Sequence, residues 1–136
     1  MKPIDINATH AMSKSLARAF VFAWFFIGGV THFLFPNVFV LIVPPYIPYA
    51  LIAVYISGAL ELIGASMLLI PSVRHHAGTG LIILTILVSP ANIYMLQIAD
   101  QFPKIPEWAL IVRLPFQLVL IGLIWWSSRN PTFANS

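Results

Sequence analysis

The chain has 136 residues, of which 60% are hydrophobic and only 8% charged, with a formal net charge of +3. A soluble domain carries about 25% charged residues, so a water-facing surface cannot be built from this composition. The positive balance comes without a basic run or an aromatic–basic groove, which excludes a nucleic-acid binder. The absence of cysteine excludes disulfides, thiol catalysis, iron–sulfur clusters and Cys-based zinc sites.

In chain order, residues 1–15 are polar with scattered apolar positions and read as a short surface helix or lead-in. Asn7-Ala8-Thr9 matches a glycosylation acceptor, but the pattern is common by chance and falls on the side assigned below to the cytoplasm. The first apolar run, residues 16–35, is too long for the core of a cleavable signal peptide and has no small-residue cleavage site after it. It closes on Gly28-Gly29-Val30-Thr31-His32-Phe33, with Pro36 beyond. Residues 36–48 are very apolar but short and broken by prolines, which lack an N–H and stop a helix. They are expected to lie in the outer interface or to fold back over the bundle. Three further runs follow at 49–70, 78–98 and 108–126. Pro71 ends the second, Pro90 interrupts the third and Pro115 sits inside the fourth, while Pro103 and Pro106 shape the last loop. A membrane span needs about 20 apolar residues. The expected fold is therefore all-α: a polytopic membrane protein with one four-helix transmembrane bundle over residues 16–128 and a tail at 129–136.

Lys2, Lys14, Arg18, Arg74 and Arg129 fall on one side of these spans, and only Lys104 on the other. Cytoplasmic loops carry the excess of Lys and Arg, which predicts that both termini are cytoplasmic. Trp108 and the Trp125-Trp126 pair bracket the fourth span as interfacial belt residues do.

Two charged residues, Glu61 and Arg113, lie at membrane depth within the spans. A charge at a helix centre costs about 2.5–3.5 kcal/mol on insertion scales, so two of opposite sign point to a pair or to a polar cavity between helices. Ser57, Glu61, Gly64 and Ala65 share one helix face at i, i+4, i+7 and i+8. Small residues there let another backbone come close, but packing never requires a carboxyl. Counted from the outer ends at about 1.5 Å per residue, His32, Tyr55, Ser57, Asn92, Arg113 and Gln117 occupy the outer half, with Glu61 near the midplane. One pocket, roofed by residues 36–48, is the expectation, with these seven as its ligand-binding residues. Each has a bland alternative. Arg113 can snorkel to the headgroups, His32 can serve as a helix-end residue, Asn92 can cap the carbonyls freed by Pro90, and Gln117 can be interhelical glue.

Several chemistries fall away. A bis-histidine haem needs two intramembrane histidines and only His32 qualifies. A zinc site wants three or four ligands, and the adjacent His75 and His76 point to different helix faces. No nucleophile elbow or glycine-rich phosphate loop is present. What remains is a carboxyl, a guanidinium, an imidazole and an amide, suited to binding a polar head group or quinone, or to moving a proton.

The string from Gly28 to Phe33, then Pro36 and Ile42-Val43-Pro44-Pro45, resembles the DoxX-like family of small bacterial membrane proteins. Ser57-Gly58 with Glu61 and Gly64-Ala65, the Pro90-Ala91-Asn92 turn, and Arg113-Leu114-Pro115-Phe116-Gln117 are similar to the same family. The resemblance covers most of residues 16–128. It implies a four-helix bundle in the bacterial inner membrane and, through the family's name, an association with thiosulfate:quinone oxidoreduction. The functional expectation is an accessory rather than a stand-alone catalytic protein, binding a lipid-soluble molecule such as a quinone or docking a redox partner in the bilayer. The rival expectation is a small proton-coupled transporter or permease using Glu61. A third is a packing module in which Glu61 and Arg113 serve only specificity.

Overall fold

The computed structural model describes residues 3–129; Lys2 and the tail beyond Arg129 lie outside the described residues. The elements are all helical: α1 (Ile6–Leu34), α2 (Pro36–Leu41), α3 (Ala50–Leu68), α4 (Arg74–Leu87), α5 (Ser89–Gln97) and α6 (Glu107–Ser128), with a short 3-10 turn at Ala99–Gln101. Four helical segments are long and apolar enough to cross a membrane: α1, α3, α4 with α5, and α6. They close into a ring in which α1 packs on α3, α3 on α4, α4 on α6 and α6 back on α1.

The polar lead-in is part of α1 rather than a separate element. Asp5 starts the helix by accepting hydrogen bonds from the Asn7 and Ala8 amides at 3.0 and 3.3 Å, which satisfies two of the N–H groups that a helix start leaves bare. The third apolar run is two helices. Pro90 has no N–H to continue the ladder, and the chain breaks at Val88 between α4 and α5. Pro115 is accommodated inside an uninterrupted α6. Residues 36–48 form α2 and a set of turns that ends at Tyr49, whose φ of 54° places it in the left-handed region. That reversal feeds directly into α3 and returns the segment across the bundle.

Two apolar clusters hold the helices together. The larger contains Val21 and Phe25 of α1, Ala65 and Leu68 of α3, Ala77 and Leu81 of α4, and Leu120 and Ile124 of α6. The smaller lies toward the opposite end: Ile42, Met95 and Leu110, with Phe39 and Phe102 against them. Between α1 and α3 the backbones meet through glycines. A Cβ on Gly58 would stand 2.6 Å from His32 Cβ and 3.2 Å from the Gly29 carbonyl oxygen. One on Gly29 would stand 2.9 Å from the Gly58 carbonyl oxygen. With no hydrophobic driving force between helices in lipid, such close approach supplies the packing energy. Gly64 does the same service between α3 and α4, where a Cβ would meet Leu81 at 2.6 Å.

Gly58→Ala should force α1 and α3 apart and destabilise the fold by about 1–3 kcal/mol, the usual cost of overpacking. Gly122→Ala is the control, because no atom lies within 4 Å of the added methyl. Thermal unfolding in mild detergent should separate the two, and equal behaviour would remove the close-approach argument.

Candidate functional site

A cavity of about 460 Å³ lies within the helical ring, lined from all six helices. Its wall takes Trp24 and His32 from α1, Ser57 and Glu61 from α3, Thr85 from α4, Asn92 from α5, and Arg113 and Gln117 from α6. Phe39, Ile42, Val43, Pro44 and Ile47 line it from residues 36–48, so this segment folds back over the bundle. The cavity size is that of ordinary small-molecule sites, which run about 300–1,000 Å³ and are mostly apolar with a few placed polar groups.

On the α1–α3 side the polar group is a carboxyl next to an imidazole. Nδ1 of His32 lies 2.6 Å from the Gly28 carbonyl oxygen and 3.3 Å from Oε2 of Glu61. A carbonyl can only accept, so Nδ1 carries the proton and donates it to Gly28. The closer carbonyl takes that single N–H, which leaves Oε2 of Glu61 buried without a hydrogen-bond partner. Glu61 and His32 side chains are only 13% and 12% exposed, so neither is a solvated surface group. The opposite face of the imidazole stacks on Phe39 with ring centroids 3.9 Å apart. Gly28 makes room for the carboxyl, since a Cβ there would stand 3.2 Å from Oε2.

On the α5–α6 side the polar groups form a chain. Arg113 donates from Nη2 to Oδ1 of Asn92 at 3.0 Å and from Nη1 to the Met95 sulfur at 3.0 Å. Nδ2 of Asn92 donates to Oε1 of Gln117 at 2.7 Å. Nε2 of Gln117 donates to the Thr85 carbonyl at 2.8 Å and to the Ser89 hydroxyl. Thr85 and Ser89 flank the break at Val88, so a side chain from α6 supplies hydrogen bonds where the α4–α5 ladder is interrupted. Gln117 is thus interhelical glue and cavity wall together. Asn92 does not cap the freed carbonyls; it holds Arg113.

Six of the seven residues singled out from the sequence line this cavity: His32, Ser57, Glu61, Asn92, Arg113 and Gln117. Tyr55 does not. It turns out of the bundle and stacks on Phe33 with centroids 5.5 Å apart, because two residues before Ser57 a helix presents a different face. Glu61 and Arg113 share the cavity but are not paired: the carboxyl contacts His32, and the guanidinium contacts Asn92 and Met95. Arg113 remains exposed, with its guanidinium tied to Asn92 and Met95 on the cavity wall. Thr85, Ser89, Met95 and Phe39 were not anticipated. Thr85 and Ser89 stand at i and i+4 around the proline break, which is the one signal that could have found them.

The family model described as domain of unknown function (DUF8561) matches residues 21–128. The chain belongs to this family. The matched region holds all of the polar cavity residues and excludes the first four turns of α1. No curated protein and no solved structure matches the chain. In this chain the matched region spans the four-helix ring and the residues that line its cavity.

Replacing Gln117 with Leu should strand Nδ2 of Asn92 and the Thr85 carbonyl. Interhelical hydrogen bonds in membranes average about 0.6 kcal/mol and reach about 1.7, so a loss of about 1–2 kcal/mol is expected for this multiply bonded side chain. A double-mutant cycle with Asn92→Leu, read by unfolding in detergent, should show the pair costing less than the sum of the singles. Strict additivity would mean that the two do not interact.

Proposed function

We propose that this DUF8561 protein is an integral membrane protein that holds a lipid-soluble molecule with a polar, oxygen-bearing head, such as a quinone, in the cavity between its helices. The observation that carries this reading is the pair of unlike polar walls around one apolar hollow. On one side Oε2 of Glu61 has no partner within the protein. On the other, Arg113 presents guanidinium N–H groups and Asn92 keeps the second N–H of Nδ2, while both N–H groups of Gln117 are spent on Thr85 and Ser89. A bound head group would take hydrogen bonds from Arg113 and Asn92 and complete the hydrogen bonding of Glu61, while Trp24, Phe25, Ile42 and Leu84 surround its apolar body. Buried polar groups that lack partners gain most from such a ligand. The resemblance to DoxX-like proteins supports a redox setting, an accessory role beside a redox partner, and the bacterial inner membrane. The placement of Lys14, Arg18, Arg74 and Arg129 at one end of the bundle supports cytoplasmic termini.

The direct test is purification in mild detergent followed by organic extraction and mass spectrometry. An enriched quinone or other lipid is expected with the parent protein. Recovery should fall at least tenfold in Arg113→Gln, and Tyr55→Phe should match the parent. Absence of any enriched molecule, together with no thermal stabilisation on adding a quinone, would sink the reading.

The contact of Glu61 with His32 on the cavity wall supports a second reading, a proton-coupled permease in which Glu61 carries the proton. In reconstituted vesicles Glu61→Gln should then abolish substrate-dependent proton flux while the protein remains folded. Flux equal to that of the parent would eliminate it.

A further inference from the structure

The cavity leaves unused the most strongly charged part of the molecule. At the end of the bundle where α1 starts, α3 ends, α4 starts and α6 ends, four cations converge. Lys14 Nζ donates to the Arg129 carbonyl at 3.2 Å. Arg18 donates from Nε and Nη2 to the Ser127 carbonyl at 3.3 and 3.2 Å. Arg74 donates to the Leu68 carbonyl at 2.9 Å and stands near enough to Arg18 for the two guanidiniums to repel. Arg129 donates to the Thr79 hydroxyl at 3.0 Å and lies 2.6 Å from the His75 ring nitrogens.

Among the described residues every acceptor in this cluster is neutral. Among the described residues the one ion contact is that of His32 with Glu61. Asp5 is engaged in capping α1, and Asp100 and Glu107 belong to the loop and helix start at the opposite end. Contacts to the last carbonyls of α3 and α6 explain why basic residues stand there, since cations favour helix C-termini. They do not balance the charge. Each guanidinium has five N–H donors, and the contacts above use only some of them. Nε of Arg129 is buried without a partner. The aromatic faces beside the cluster act as partial counter-charges: the Arg129 guanidinium lies 3.9 Å from the Trp125 ring centroid, and Lys14 Nζ lies 5.9 Å from that of Trp126.

We propose that this basic end is a binding site for the phosphodiester head group of an anionic phospholipid. The phosphate oxygens would bridge Lys14, Arg18 and Arg129, for which guanidinium forks are geometrically suited. A lipid fits better than a soluble anion, because exposed apolar side chains flank the cations along both helices, Leu16 at 66% and Trp125 at 57% exposure, and offer a track for acyl chains. Basic clusters at the membrane interface recognise anionic lipids in this way. The site is separate from the cavity and shares no residue with it.

The test uses the full-length protein in mild detergent, titrated with phosphatidylglycerol, phosphatidylcholine or inorganic phosphate, and read by native mass spectrometry and thermal unfolding. Phosphatidylglycerol should bind and raise the unfolding temperature where phosphatidylcholine does not, with the preference weakening as salt rises. Lys14→Gln and Arg129→Gln should each lower phosphatidylglycerol affinity about fivefold, the factor that one basic residue near an anionic surface contributes, and the Lys14→Gln/Arg18→Gln/Arg129→Gln triple variant should lose the preference. Should the triple variant fail to fold, the two single variants decide. The charge-keeping pair Lys14→Arg/Arg129→Lys should retain the preference. Equal stabilisation by phosphatidylcholine, parent-like affinity in the single variants, or loss of preference in the charge-keeping pair would overturn the proposal. Inorganic phosphate reproducing the whole effect would overturn the lipid assignment in favour of a soluble anion.

Discussion

An apolar surrounding offers a broken helix no hydrogen bonds, so the interruption of the third apolar segment at Val88 and Pro90 has to be made good by a neighbour. The neighbour is α6. Gln117 donates to the Thr85 carbonyl and the Ser89 hydroxyl beside the break, which leaves its own carbonyl oxygen to receive Nδ2 of Asn92. With Nδ2 committed in that direction, Oδ1 of Asn92 is turned toward Arg113. The break at Val88 thereby orients Gln117, Asn92 and Arg113 in turn, and the guanidinium is held on the cavity wall by Asn92 and Met95.

The other wall has a different origin. α1 and α3 approach through Gly29 and Gly58 until side chains would collide. At that separation His32 reaches back to the Gly28 carbonyl, and the absence of a Cβ on Gly28 leaves room for the Glu61 carboxyl. The carboxyl is confined to the cavity edge with one oxygen unpaired. The hollow sits between the two apolar clusters and is not filled by either. Its roof, residues 36–48, is held by the stacking of Phe39 on His32 as well as by packing against α3.

The two ends of the bundle therefore handle charge in opposite ways. At the cavity the two charged groups are kept apart: Arg113 is held by Asn92 and Met95, and Glu61 stands beside His32 with Oε2 unpaired. At the basic end, cations gather without an acidic partner among the described residues and rest on helix-terminal carbonyls and tryptophan faces. Such a cluster is tolerable only where water or an anionic surface can screen it.

What the residue order determined by itself is the solvent and the layers. Four apolar runs of spanning length, with charge sparse inside them and basic residues gathered on alternate connections, leave a helical membrane bundle as the satisfactory arrangement, because only internally bonded backbone is stable in lipid. Depth along each helix was also legible, since rise per residue is fixed, and it gathered His32, Ser57, Glu61, Asn92, Arg113 and Gln117 at comparable levels. Azimuth was not. Whether a residue faces a cavity or the lipid depends on how each helix is rotated against its neighbours, which is why Tyr55, at the right depth, lies outside with Phe33. Pairing was not legible either. Opposite charges invited a Glu61–Arg113 bond, but the proline break tied Gln117 to Asn92 and so Asn92 to Arg113, and the glycine contact placed Glu61 beside His32. Those choices arise from contacts between residues distant in sequence, and only the folded bundle brings the competing partners within reach.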